Sequence, residues 1–477
     1  MAETTGTLRG ATTDVGASAA ELTEAYRTGE TTPSAVLEAI LEDIEARNGI
    51  INAFSDITAD GARAAAAVST QRWSRGEPIS DLDGVPVTVK ENMKRVGVVA
   101  YSGSLGAVEE TTERDSPIVE RFTEAGAVIV GSTTMPDWGM LSSGVSSRHG
   151  VTRSPLDPAL TVGGSSSGAG AAAAAGWGAI HMGSDIGGSV RLPATWLGLA
   201  TLKPSEGRIP IDTPYLGRAA GPIARSVDEV ALAMAHVTRP DSRDYTSMPY
   251  QDIAWAACCE SQDEVRGKRI ALHTEAGAGM AVDPEVAATV RAAGELFAAA
   301  GADVVEIPAF VHEADLVDLD SFWRVRFWRT YSKLDAAARA AALPFIQEWV
   351  MKGADVPGSE ALRCYDGIGS FRARTVRATE GFDAVLSPVA PQAAFPAEWP
   401  MPWGFEDRGM EHIAFTVPYN MSGQPAASVN AGFTSDGRSI GLQIAGARFD
   451  DVGVLKLAKW FEEHRPTSAV PEFAQGV

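Results

Sequence analysis

Residues 161–194, TVGGSSSGAGAAAAAGWGAIHMGSDIGGSVRLPA, place five serines and nine glycines in 34 positions. A serine hydroxyl becomes a nucleophile only beside a group that takes its proton, and its target needs donors for the oxyanion that forms. Gly164-Ser165-Ser166-Ser167-Gly168 matches G-x-S-x-G, the turn that makes the middle serine, here Ser166, the nucleophile of an α/β-hydrolase-like esterase. That turn must follow a strand directly, yet SPLDPALTVGG (154–164) has two prolines and no strand-length apolar run. The base would have to be His181, His236, His273, His312, His412 or His464, none in a distinctive sequence setting. A phosphate cradle at the start of AGAAAAAG is a second reading, but the loop lacks both a Gly-Lys-Ser/Thr ending and G-x-G-x-x-G spacing. Close helix packing accounts for the alanines at 171–175 and leaves Gly183-Ser184-Asp185-Ile186-Gly187-Gly188-Ser189 unexplained. In that second block, Ile186-Gly187-Gly188-Ser189 can turn consecutive N–H groups into one concavity, because glycine tolerates positive φ. A serine closing such a nest has its Oγ beside an oxyanion hole.

GGSSSGAG, GSDIGGSVRLPA and the upstream GVPVTVKEN together resemble the amidase signature family of Ser-Ser-Lys amide hydrolases. All three motifs occur in the family's order, with Ser165 24 residues and Lys90 99 residues before Ser189. The resemblance covers about residues 17–465 and includes ARSVDEVALAMA and FTVPYNMSGQPAASV; Ser167 and Ala169 stand where the pattern more often has glycine and serine. It implies Ser189 as nucleophile, Ser165 as a bridging serine after a cis peptide from Gly164, and Lys90 as base. The implied oxyanion hole is the N–H groups of Ile186, Gly187, Gly188 and Ser189, with no metal and no organic cofactor.

Each implied role has its own physical requirement. A lysine accepts a proton only when neutral, which needs burial and few nearby carboxylates. Lys90 ends the apolar run VPVTV, so Glu91 must point away. Ser165 would take the proton of Ser189 while passing its own to Lys90. Asp185 and Arg191 flank the nucleophile and read as an ion pair bracing the loop, whereas Arg148 and His149 read as packing or surface residues.

The elements that must position these groups alternate between helix and strand. Residues 17–29 and 32–48 have apolar positions at helical spacing, with Thr32 as N-cap before Pro33. Strand patterns occupy 83–92, 125–133, 267–275, 302–310, 382–390, 426–433 and 439–447, and amphipathic helices 116–124 and 284–300 lie between some of them. This alternation predicts an α/β fold. The resemblance implies a single amidase-signature domain over 1–477, a mixed β-sheet core covered by helices on both faces, with the signature core at about 80–230. Residues 310–412 form the most irregular stretch, a divergent substrate-pocket region carrying Trp323, Trp328, Trp349, Trp399 and Trp403.

The 477 residues carry 40 Lys plus Arg against 61 Asp plus Glu, a net charge of −21, which disfavours nucleic acid and anionic membranes as partners. Cys258, Cys259 and Cys364 have neither disulfide-framework nor metal-ligand spacing, and no export signal or apolar span is evident, so a cytoplasmic protein, monomer or homodimer, is expected. Tyr101, Trp138, Gly164 and Tyr215 are the expected substrate-binding residues, with Phe322 as a further aromatic wall. Such walls favour a small aryl or alkyl amide, as in the aryl-acylamidase-like and urethane-cleaving members the sequence resembles, where carbamates are also accepted. The alternative within this chemistry is a glutaminase-type subunit of an amidotransferase.

Overall fold

Pro86–Lys90 is a short run of β-branched residues and valines bounded by Asp-Gly and by Glu-Asn, and it becomes a strand buried along its whole length. It pairs in parallel with Val128–Thr133 on one side and with Ile180–Asp185 on the other. A strand enclosed in this way has both faces covered, so its sequence need not alternate polar and apolar residues. The lysine at its end is therefore carried into the interior.

The computed structural model describes residues 15–259, 265–469 and 473. Among the described residues one mixed sheet of eleven strands runs in the order Phe54–Ile57, Val128–Thr133, Pro86–Lys90, Ile180–Asp185, Ala219–Ala224, Ala200–Lys203, Ala426–Phe433, Ser439–Ala445, Ala384–Pro388, Arg269–Leu272 and Asp303–Glu306. All seven expected strand stretches are present, 426–433 with the same bounds and the other six with shorter ones. The strands at 54–57, 180–185, 200–203 and 219–224 have no counterpart among those expectations. IHMGSD and AAGPIA are poor in β-branched residues, and sheet neighbours on both sides hold them extended. The domain is α/β, with helices packed against the sheet.

The first helices form as expected at Ala19–Thr28 and Pro33–Ile51, the second capped by Thr32 Oγ1, which accepts from Ala35 N at 3.2 Å. The Ser167–Ala175 helix is buried at every position, and its small side chains let it lie against Ile180–Asp185 and Pro86–Lys90. The expectation of irregular structure at 310–412 is corrected: Glu313–Tyr331, Ala336–Ala341, Pro344–Met351 and Gly358–Thr379 are helices, and Trp323 and Trp349 are buried between them and their surroundings. Cys364 is buried; the side chains of Cys258 and Cys259, and the first 14 residues read for an export signal, lie outside what is described. Among the described residues no helix is long and apolar enough to cross a membrane.

Candidate active site

Lys90 Nζ is fully buried and lies 2.8 Å from Ser165 Oγ, 3.2 Å from Ser166 Oγ and 3.3 Å from Ser184 Oγ. Burial pushes the ammonium down to about 7, aided by the charge of Arg218 and opposed by Asp185 and Glu91. Glu91 turns away as required, its carboxylate 3.2 Å from His149 Nε2. His149, half-buried, thus packs as a partner for Glu91, one of the two places expected for it. A neutral amine has two protons to give and one lone pair. Ser166 spends its own proton on the Ser184 carbonyl at 3.2 Å and also accepts from Ser184 N. Ser184 Oγ already accepts from Asn92 Nδ2 at 3.0 Å. Ser165, at the shortest distance, is the hydroxyl best placed to give its proton to the amine.

The Gly164–Ser165 peptide is cis. Ser166 is completely buried and absent from the cleft wall, which argues against the esterase turn suggested by G-x-S-x-G. Gly183 makes the approach of Ser166 feasible, because a Cβ there would lie 2.6 Å from Ser166 Oγ.

The second block follows the Ile180–Asp185 strand and is held by a buried ion pair. Arg191 Nη2 donates to Asp185 Oδ1 at 2.9 Å and Arg191 Nε to Oδ2 at 3.1 Å, with Asn420 Nδ2 on Oδ1 at 2.8 Å. Burial alone would raise the Asp185 carboxyl, but the Arg191 charge and these donors hold it well below the usual range. The expected bracing pair is therefore present. It also takes one of the four expected oxyanion donors: Gly188 N–H is donated to Asp185 Oδ1 at 2.8 Å. Gly188 instead shapes the turn, at φ +123 with a would-be Cβ 2.8 Å from Thr416 Oγ1. Ile186, Gly187 and Ser189 are partly exposed on the cleft wall.

The cleft is partly open to solvent, its non-atom space being about 660 Å³ with the open mouth included. Ser165, Ser184 and Ser189 share it with Trp138, Leu192, Tyr215, Trp323 and Phe327. Of the expected binding residues, Trp138 and Tyr215 line the wall. Tyr101 does not; the Arg148 guanidinium covers its ring at 3.5 Å from the centroid. Gly164 is likewise off the wall, tucked beneath the backbone of 141–143. Phe322 packs on Tyr365 at 5.5 Å, because Trp323 and Phe327, four residues apart, are the helix face turned to the cleft.

Trp138 is held at φ 48, uncommon for a bulky residue. Its neighbour Asp137 fixes this turn by accepting from Ser104 Oγ at 2.8 Å, Ser147 N at 2.7 Å and Leu343 N at 3.2 Å. Asn92, Ser142 and His412 also line the cleft; sequence reasoning gave Asn92 and Ser142 no role and named His412 only as one candidate base of the esterase reading. The only signal for Asn92 was its place in the Lys-Glu-Asn motif.

The Amidase family profile matches residues 35–455. An acylamidase from Rhodococcus erythropolis is 30% identical over 475 residues, covering 94% of this chain and 95% of that protein. One component of a glutamyl-tRNA(Gln) amidotransferase from Synechococcus sp. (strain CC9605) is 29% identical over 470 residues, covering 92% and 94%. Among solved structures, a bacterial aryl acylamidase of the amidase signature family superposes with a TM-score of 0.84 at 26% identity, covering 94% of this chain and 96% of that one. A 6-aminohexanoate cyclic dimer hydrolase complexed with substrate gives 0.82 at 26% identity, covering 96% and 100%.

Proposed function

Because the chain belongs to the amidase family, whose members with this signature hydrolyse C–N bonds, we propose that it cleaves small aryl or alkyl amides, and carbamates, through an acyl-enzyme on Ser189. Ser165 accepts the Ser189 proton as Ser189 Oγ attacks the carbonyl carbon, and Lys90 accepts the proton of Ser165. The N–H groups of Ile186, Gly187 and Ser189 face the developing oxyanion. The relay then runs backward: Lys90 returns its proton through Ser165 to the leaving nitrogen, the C–N bond breaks, and water attacks the acyl-Ser189 ester by the same path. No step calls for a metal or an organic cofactor. The observation that carries this reading is the 2.8 Å contact between a buried Lys90 and Ser165 on the wall that also holds Ser189.

The test is a purified chain offered an anilide and, separately, a fluorophosphonate label. Ser189→Ala abolishes both turnover and labelling, while Ser166→Ala, folded, keeps measurable turnover. A dead Ser166→Ala beside an active Ser189→Ala overturns the assignment. The likeness to an amidotransferase component supports a second reading, a glutaminase-type role within a larger assembly. Anilide hydrolysis by the chain alone separates the two.

A further inference from the structure

Ser142 stands beside the reacting centre without a part in the relay. The backbone on either side of it presses on the Gly164–Ser165 peptide: a Cβ on Gly164 would lie 2.5 Å from the Ser143 carbonyl oxygen and 2.7 Å from that of Leu141. Ser142 itself lines the cleft. Among the described residues its hydroxyl has one hydrogen-bond partner, Nε2 of His412, which reaches it from 270 residues away in the chain.

His412 decides which way that hydrogen bond runs. Its ring is buried, edge-on to Trp403 at 5.3 Å, and among the described residues its Nδ1 has no hydrogen-bond partner. Burial pushes the imidazolium down to about 3, so the ring is neutral and carries one N–H. With that proton on Nδ1, a buried donor would be orphaned; with it on Nε2, only a lone pair goes unmatched. Orphaned buried N–H groups are the rarer of the two. Nε2–H therefore donates to Ser142 Oγ, and the hydroxyl keeps its own proton for a partner outside the pair.

We infer that Ser142 is a substrate-facing hydrogen-bond donor, oriented by His412 as a positioning residue, which selects substrates bearing an acceptor oxygen close to the scissile carbonyl. This rests on the amide-hydrolase reading and deepens it by naming a substrate feature. An acyl group with an α-alkoxy oxygen meets the requirement, and its all-carbon isostere does not. A site that offers a buried donor discriminates against a ligand lacking the matching acceptor, because the donor is then left unpaired.

The experiment compares methoxyacetanilide with butyranilide, which differ by one oxygen for one methylene. Ser142→Ala lowers kcat/KM for methoxyacetanilide about tenfold more than for butyranilide, the scale of one hydrogen bond. His412→Phe shifts the same ratio in the same direction, and His412→Gln, whose side-chain amide can still donate, restores most of it. Equal losses on the two substrates in folded Ser142→Ala show a structural role and overturn the inference. So does His412→Gln with a ratio as low as that of His412→Phe. If the unsubstituted chain cleaves butyranilide but shows no change in ratio with any variant, this inference fails alone; if it cleaves neither anilide, the amide-hydrolase reading fails with it.

Discussion

Two lysines of this protein end strands of one sheet, Lys90 at Pro86–Lys90 and Lys203 at Ala200–Lys203, with two other strands between them. Both are fully enclosed, and burial pushes both down to about 7. A depressed pKa therefore does not distinguish them. Their neighbours do. Lys203 Nζ donates to the Pro204 carbonyl at 2.8 Å, an acceptor with no proton to return, and lies within reach of the Arg191, Asp185, Asp451 and Glu206 charges. Lys90 meets three hydroxyls, two of which, on Ser165 and Ser184, open onto the cleft. A base needs a donor that can connect it to a reacting group, and of the two only Lys90 has hydroxyl neighbours that line the cleft. Perturbed titration marks candidate sites, and geometry selects among them.

The widest gap between the two is in amide turnover. Lys90→Ala lowers kcat/KM for an anilide by about 10² to 10⁴, whereas Lys203→Met, corrected for folded fraction, stays within about threefold, as expected away from the site. Steady-state kinetics on both variants measure this, and a comparable loss in Lys203→Met breaks the contrast. A finer gap lies between substrates. An amide nitrogen must be protonated through Ser165 to leave and an activated ester oxygen need not, so Lys90→Ala costs the matched ester about tenfold less than the amide. Equal losses would place Lys90 outside the proton relay.

The pH profile sharpens the same comparison. Protonation removes the lone pair of Lys90, so kcat/KM falls tenfold per unit as pH drops below about 7 and levels off above it. Lys203→Met leaves that limb where it is; a displaced limb would assign it to the wrong lysine. The smallest effect is on stability. Unfolded lysine titrates near 10.4 and folded Lys203 near 7, so between these values the unfolded chain holds the extra proton and wild-type stability rises with pH. Lys203→Met removes that burden, gaining about 1–3 kcal/mol at pH 7 and less at pH 10. Urea denaturation at the two pH values reads it, and a loss at pH 7 would mean that the charged network around Lys203 outweighs its burial.

The proposed chemistry is written locally. Lys90, Ser165 and Ser189 sit in short motifs whose glycines and β-branched runs dictate their own backbone, so the α/β class, the strands at 86–90 and 128–133 and the bracing Asp185–Arg191 pair could all be read from neighbours in the chain. Interactions inside a motif depend on spacing that the linear order preserves. The four unexpected strands of the eleven-stranded sheet, by contrast, take their shape from sheet neighbours. The cleft walls depend on contacts that linear order does not encode: which face of Glu313–Tyr331 turns inward chose Trp323 over Phe322, and Arg148 folding over Tyr101 took that ring off the wall. His412 reached Ser142 by the same cause. A side chain's partner across hundreds of residues is settled by how helices and strands pack, because burial and hydrogen-bond satisfaction are properties of the assembled interior rather than of any segment.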